Sequence, residues 1–280
     1  MSDGVKGTFR SVTGDELDRM LWNADGEARG VVQLVHGMSE HIARYDATAK
    51  ALNAAGYVVV GHTHLGHGDK AGTQGYFAEK NGWDALIEDV HTLRQDTQKR
   101  FPTLPYFLLG HSMGSFVTRT YCLKHEDGLA GVVLSGTGHF APAVVGFALT
   151  VAKLQCAFGG AKKPSHLLET LSSSGNNKEW SPARTPFDWL SRDEKVVDAY
   201  VADPYCGFTF TAGAYRDMFT GLKRLYPQNL CAMRKDVPIL LLSGESDPVG
   251  QRGAGVRTTA EELIAAGVED VTFKLYPQGR

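Results

Sequence analysis

Ser112 lies between two glycines in Gly110-His111-Ser112-Met113-Gly114, a G-x-S-x-G frame that ends the apolar stretch Tyr106-Phe107-Leu108-Leu109. This frame is the sequence form of a nucleophile elbow, in which a strand turns sharply into a helix and holds a serine hydroxyl at the tip. The chemistry it implies is acyl transfer at Ser112 Oγ. A bare serine is a weak nucleophile at neutral pH, so it needs a base, an acid to orient that base, and an oxyanion hole. A tight packing turn with no chemistry is the bland alternative. The context disfavours it: Phe116, Val117, Thr120, Tyr121 and Leu123 continue at helical spacing and stop near Gly128.

The acid is expected on a loop after a later strand, in the chain order serine, carboxylate, histidine. Ile239-Leu240-Leu241-Leu242-Ser243-Gly244-Glu245-Ser246-Asp247-Pro248 provides a buried strand followed by a turn. Asp247 is preferred over Glu245 because Pro248 makes it a turn residue at the mouth of the loop. The oxyanion hole needs two backbone N–H groups. One is expected from Met113, directly after the serine, and the other from Met38 in His36-Gly37-Met38, after the third strand. The base is missing. No histidine follows His166. His111 flanks the serine but cannot reach round to Ser112 Oγ, and His36 and His41 are better placed to order the oxyanion loop.

The elements that must position these residues alternate along the chain. Two short strands, 7–11 and 18–23, precede buried strands at 30–35, 57–60, 106–110, 131–135, 237–243 and 271–276. Helical patterns fill 41–55, 83–100, the stretch after Ser112, and 257–266. This order predicts an α/β fold, a mostly parallel sheet with helices on both faces. Residues 139–230 break the rhythm with prolines, a serine run and many aromatics. They are expected to form a mostly helical cap, inserted between core segments 1–138 and 231–280, that lies over the site.

Bulk properties bound the rest. The chain has 280 residues and a formal net charge of −2, which leaves no polyelectrolyte footprint for nucleic acid. The N-terminus lacks an apolar signal core. The longest apolar candidate, Val144 to Phe158, is interrupted by Gly146, Lys153 and Gln155, so no membrane-spanning segment is expected. Four cysteines (Cys122, Cys156, Cys206, Cys231) are widely spaced without a C-x-x-C pair, and are expected as reduced thiols in a cytoplasmic protein. His62, His64 and His67 show a metal-like H-x-H-x-x-H spacing, but only Asp69 is nearby to complete a set; a hydrogen-bonded loop is the better reading, and no metal site is expected. Gly136-Thr137-Gly138-His139-Phe140-Ala141 matches a dinucleotide fingerprint, but it comes late in the chain, and no acid lies in Gln155–Lys163 to hold a ribose.

His36-Gly37-Met38-Ser39-Glu40-His41-Ile42-Ala43-Arg44-Tyr45 resembles the H-G-x-x-E-H-x-x-R-Y signature of monoacylglycerol lipases and lysophospholipase-like α/β-hydrolases. Leu65-Gly66-His67-Gly68, the elbow and Leu242–Asp247 are similar to the same family's loops. The resemblance runs from Gly30 to Arg280. It implies an α/β-hydrolase fold with a lid-like cap and a serine hydrolase for carboxylic esters of glycerol or phospholipid type, without a cofactor. By the same resemblance Ser112 is the nucleophile, Asp247 the acid, and Met38 and Met113 the oxyanion donors. Two departures stand out. Thr63 occupies a place where the family usually has aspartate. The family's triad histidine directly follows a segment like Tyr276-Pro277-Gln278-Gly279-Arg280, so the resemblance implies a base just past Arg280, a final covering helix beyond it, and a reading frame cut short. Two other readings stay open: a non-catalytic ligand-binding protein on this fold, and a peptidase or thioesterase on the same triad. The oligomeric state is not legible.

Overall fold

β3 (Gly30–Val35) is buried at every position, as a strand covered on both faces must be. Around it, the computed structural model, which describes residues 3–173 and 175–280, builds one eight-stranded sheet in the order β1-β2-β4-β3-β5-β6-β7-β8. The remaining strands are β1 (Val5–Arg10), β2 (Glu16–Trp22), β4 (Tyr57–His62), β5 (Tyr106–His111), β6 (Leu129–Ser135), β7 (Ile239–Gly244) and β8 (Val271–Tyr276). β1 and β2 form an antiparallel hairpin, with Phe9 opposite Leu17, and β2 joins β4 antiparallel; all other pairs are parallel.

Alternation of side chains sorts the core into two layers. On one face Val31, Val35, Val58, Val60, Leu108 and Leu241 pack under α2 (Gly82–Arg100) and α3 (Met113–His125). On the other, Val32, Leu34 and Val59 meet Ile42 and, from α1 (Asp46–Ala54), Ala49. Over β5, β6 and β7 the second face is less well covered. Phe107, Leu109, Val133, Leu240 and Leu242 are only half-buried there, and β8 is largely exposed.

The segment between β6 and β7 holds α4 (Pro142–Gln155), α5 (His166–Ser173), α6 (Glu194–Ala202), α7 (Ala212–Leu222) and α8 (Pro227–Leu230), with one isolated bridge, Pro164 to Thr211. α9 (Ala254–Ala265) follows β7. α4 packs against α7 through a stripe that includes Val145, Ala148, Leu149 and Ala152. Its opposite side leaves Val144, Phe147 and Leu154 exposed.

Two expectations need correction. The pattern over 41–55 divides: a 3-10 turn, Ile42–Tyr45, comes first, and α1 begins at Asp46, whose carboxylate accepts from Trp22 Nε1 at 2.9 Å. The apolar run near 150 is also longer than its interruptions implied. Pro142–Gly160 is one helical stretch of 19 residues, long and apolar enough by length and composition alone to cross a membrane. Gly146 and Lys153 do not break it, although Phe158 and Gly159 depart from helical geometry at its end.

Candidate active site

The parallel register aligns the C-terminal ends of four strands. Val35 pairs with Gly110, His111 with Ser135, and Ser135 with Leu242. The loops after β3, β5, β6 and β7 therefore open at one edge of the sheet, where ligands bind in open α/β sheets. Ser112 stands at that edge. Its backbone is at φ 50°, ψ −120°, a conformation that costs a non-glycine residue on the order of 1–3 kcal/mol. The surroundings enforce it. Ser112 N–H donates to Ser135 O at 2.8 Å, and Ser112 O accepts from Ser115 N–H at 2.8 Å and Ser115 Oγ at 2.6 Å. Glycine is required on both sides: a Cβ on Gly114 would lie 2.5 Å from His36 O, and one on Gly110 would strike Thr118 Oγ1. The helix can thus approach β3 closely.

The loop after β3 presses on the elbow. A Cβ on Gly37 would lie 3.2 Å from Ser112 Cβ and 2.8 Å from Glu40 Oε1. Glu40 organises this loop. Its buried carboxylate accepts from Gly37 N–H at 2.6 Å and Tyr45 OH at 2.7 Å, and pairs with Arg44. Burial and the adjacent Glu40 carboxylate hold the Tyr45 phenol well above its usual pKa, so it stays a donor. Among the described residues, Met38 N–H has no partner, and Met113 opens α3, where first-turn N–H groups are free. The loop after β3 and the start of α3, which meet at Ser112, thus each carry a backbone N–H without a partner among the described residues.

The loop after β7 brings Asp247 to the same edge. Asp247 is buried, and Glu245 is exposed. Ser243 Oγ donates to Asp247 Oδ2 at 3.0 Å, and Val249 N–H donates to Oδ1 at 2.9 Å. A Cβ on Gly136, the residue after β6, would lie 3.6 Å from Asp247 Oδ2 and 3.3 Å from His111 Cε1. The carboxylate thus faces the strand end that also anchors Ser112.

All ten histidines are engaged away from the serine. His111 Nδ1 meets Ser135 Oγ at 3.2 Å. His41 is paired with Asp203, His91 with Tyr121, His125 with Glu88, His139 with Glu262 and His166 with Glu169. The other four form a buried stack. His36 Nδ1–H donates to Gly37 O at 2.8 Å while its Nε2 accepts from His64 N–H at 2.9 Å. His67 Nδ1–H donates to Leu65 O and its Nε2 accepts from Ser39 N–H at 3.2 Å. His64 Nδ1 meets His62 Nε2 at 3.2 Å. Burial pushes His62 down to about 3 and His67 to about 4, and it drives His36 and His64 well below the usual imidazole range. These neutral rings lock the loop after β4 to the loop carrying Met38. Thr63 fills its family-variant place beside Gly68, with its Oγ1 3.5 Å from Ile42 N.

Reading from the sequence missed the roles of Glu40 and Ser243. Glu40 could have been found as an acid three residues beyond a glycine turn, a spacing that suits a carboxylate accepting a loop N–H. Nothing local marks Ser243.

The last residues lie against the acid loop. Ser246 N–H donates to Gly279 O at 2.8 Å, Glu245 N–H donates to Tyr276 O at 3.0 Å, and Gly244 packs directly on Gly279. Arg280 Nη1 donates to Asp188 O at 2.6 Å and its guanidinium covers Trp180. Cavities of about 300 and 270 Å³ exist elsewhere, beside Asp84 and Arg224 and beside Arg19 and Arg100; neither is lined by Ser112 or Asp247.

Comparison with known proteins shows the family. The family described as serine aminopeptidase, S33, matches residues 26–280. A monoacylglycerol lipase of Mycolicibacterium smegmatis is 31% identical, over 96% of this chain and 87% of its own length. The human monoglyceride lipase is 27% identical, over 94% of this chain and 78% of its own. A thermostable carboxyl esterase from Bacillus coagulans, solved with glycerol, superposes with a TM-score of 0.92 at 31% identity, covering 100% of this chain and 92% of that one. The chain therefore belongs to the serine aminopeptidase S33 family of α/β-hydrolases, in its monoacylglycerol lipase-like part, and is a carboxylic ester hydrolase.

Proposed function

We propose that this hydrolase cleaves monoacylglycerols, lysophospholipids or similar esters through an acyl enzyme on Ser112. Ser112 Oγ attacks the ester carbonyl carbon as a base takes its proton. The amides of Met38 and Met113 hold the oxyanion of the tetrahedral intermediate. The alcohol leaves with that proton, and water then releases the carboxylate from Ser112 by the reverse path. Asp247 orients the base and stabilises its charged form. The observation that carries this reading is the convergence of the strained Ser112, the Glu40-held loop and the buried Asp247 at one sheet edge.

The base is a histidine supplied from outside these 280 residues. Support comes from the engagement of all ten histidines elsewhere and from the packing of residues 276–279 on the loop of Asp247. A segment continuing from there would enter beside the acid. The half-buried row Phe107, Leu109, Val133, Leu240 and Leu242 offers an apolar bed for a further helix.

Residues 139–230 act as the cap over the site. The exposed Val144, Phe147 and Leu154 on its outer side suit a substrate presented in lipid aggregates. Four free cysteines fit a reducing, cytoplasmic setting. The test is to compare hydrolysis of a monoacylglycerol by the 280-residue chain and by the chain extended through the codons that follow Arg280. Loss of one triad member costs about 10⁴–10⁶ in kcat. Equal turnover by the two chains overturns the placement of the base.

A further inference from the structure

His41, Asp203 and Cys206 bring an imidazole nitrogen, a carboxylate oxygen and a thiol sulfur within 4.8 Å of one another, all three half-buried. They come from two distant parts of the chain. His41 ends the loop that carries Met38, immediately before the 3-10 turn Ile42–Tyr45. Asp203 and Cys206 share a tight turn after α6, closed by Cys206 N–H donating to Asp203 O at 3.0 Å.

The carboxylate is oriented for a ligand. Asp203 Oδ1 accepts from Tyr205 N–H at 2.9 Å, which leaves Oδ2 facing His41 Nε2 at 2.8 Å. The local charge also admits a cation. Arg44 is already paired with Glu40, and Asp203 faces only His41, so the cluster carries no excess positive charge while that imidazole is neutral.

We propose that His41, Asp203 and Cys206 bind one divalent ion of the zinc class, with water in the fourth position. One nitrogen, one oxygen and one sulfur suit a borderline-soft ion better than magnesium or calcium, which prefer all-oxygen shells. Tetrahedral zinc sets such donors about 3.3–3.6 Å apart. His41 and Asp203 therefore separate by roughly half an ångström, and the thiol closes by at most about 1.5 Å, a side-chain movement. As the Sγ–metal bond forms, the thiol proton passes to water; no electrons are exchanged.

The site has a consequence for the loop beside Ser112. Ser39 already clasps the same turn: Ser39 Oγ donates to Phe208 O at 2.6 Å, while Tyr200 OH and Gly207 N–H donate to Ser39 O at 2.9 and 3.0 Å. A bound ion adds a metal clip to this clasp, two residues from Ser39. Binding can be read without turnover, so its failure is distinct from failure of the hydrolase reading.

The test is titration of the purified 280-residue protein with Co²⁺, followed by absorption. The expected result is a one-to-one complex with tetrahedral visible bands and a thiolate-to-cobalt charge-transfer band, both bleached by Zn²⁺. Cys206→Ser should remove the charge-transfer band, and His41→Asn should weaken binding by more than about 100-fold, since even outer-shell partners cost 10–100-fold. Cys231→Ser, at an exposed thiol, should change neither. Where a substitution prevents folding, Asp203→Asn supplies the same comparison, with the band kept and the affinity reduced. Zn²⁺ should also raise the thermal midpoint of the unsubstituted protein and not that of Cys206→Ser. Absence of the charge-transfer band, or a band that survives Cys206→Ser and disappears in Cys231→Ser, overturns the proposal.

Discussion

Replacing Glu40 with alanine removes the carboxylate that ties Gly37 to Tyr45 in the Met38 loop. Glu40 is 5% exposed, and Oε1 accepts two hydrogen bonds, from Gly37 N–H at 2.6 Å and Tyr45 OH at 2.7 Å. A hydrogen bond to a charged group contributes roughly 1.5–3 kcal/mol, so the two together come to about 3–6 kcal/mol. The Arg44 pair adds less, about 0–1 kcal/mol, because Arg44 reaches solvent. Against a typical total stability of about 5–15 kcal/mol, Glu40→Ala should leave the protein marginal. Glu40→Gln keeps an acceptor and loses the charge, so it should cost about half as much. It also turns an amide donor toward Arg44. The assay is urea denaturation followed by tryptophan fluorescence, on the unsubstituted protein and both variants. A Glu40→Ala midpoint corresponding to less than about 1 kcal/mol of loss refutes the reasoning, because it means the buried bonds are replaced at no cost.

Other outcomes follow from the same geometry. Ser112→Gly should abolish ester hydrolysis by the extended chain and stabilise the fold by about 1 kcal/mol, since glycine adopts φ 50° freely; denaturation showing a loss of stability would contradict the strain assigned to Ser112. Gly37→Ala should drive the loop off Ser112, because its Cβ meets both Glu40 Oε1 and Ser112 Cβ, and reduce kcat/KM of the extended chain by about 10²-fold with little change in the sheet; unchanged kinetics would separate that loop from the chemistry. Stability should fall as pH drops from about 7 to 5. His36, His62, His64 and His67 are held neutral in the fold with lowered pKa values, so their contribution is present above the unfolded imidazole pKa and lost below it. Buried Asp89 and Asp217, raised to about 6, and Glu126, raised to about 7, act in the opposite sense, their contribution being lost as pH rises. The four buried histidines outnumber the three buried acids, so a urea midpoint that is flat or higher at pH 5 than at pH 7 would reverse this balance.

Much of the parallel sheet was legible because buried strands read as short apolar runs, and β8 was placed residue for residue. The elbow was legible because its glycines have a steric cause that needs no knowledge of distant residues. That Asp247 sits on a turn after a buried strand was legible from strand order and turn chemistry. What escaped was tertiary. The break of the helical pattern at Asp46 depends on a bond from Trp22, and Ser243 braces Asp247 only because the loop folds back. His41 and Asp203 stand 162 residues apart, so no local pattern could join them. The run Pro142–Gly160 reads as interrupted in sequence, yet a lysine on a helix can extend its charge to water and leave the helix unbroken.

The central claim is that Ser112 carries the acyl group. The measurement is peptide mapping by mass spectrometry after treating the chain extended past Arg280 with a fluorophosphonate, with Ser112→Ala alongside. The account predicts a single adduct on the peptide containing Ser112 and none in the variant. A folded protein that takes no label, or takes it at another residue, contradicts it.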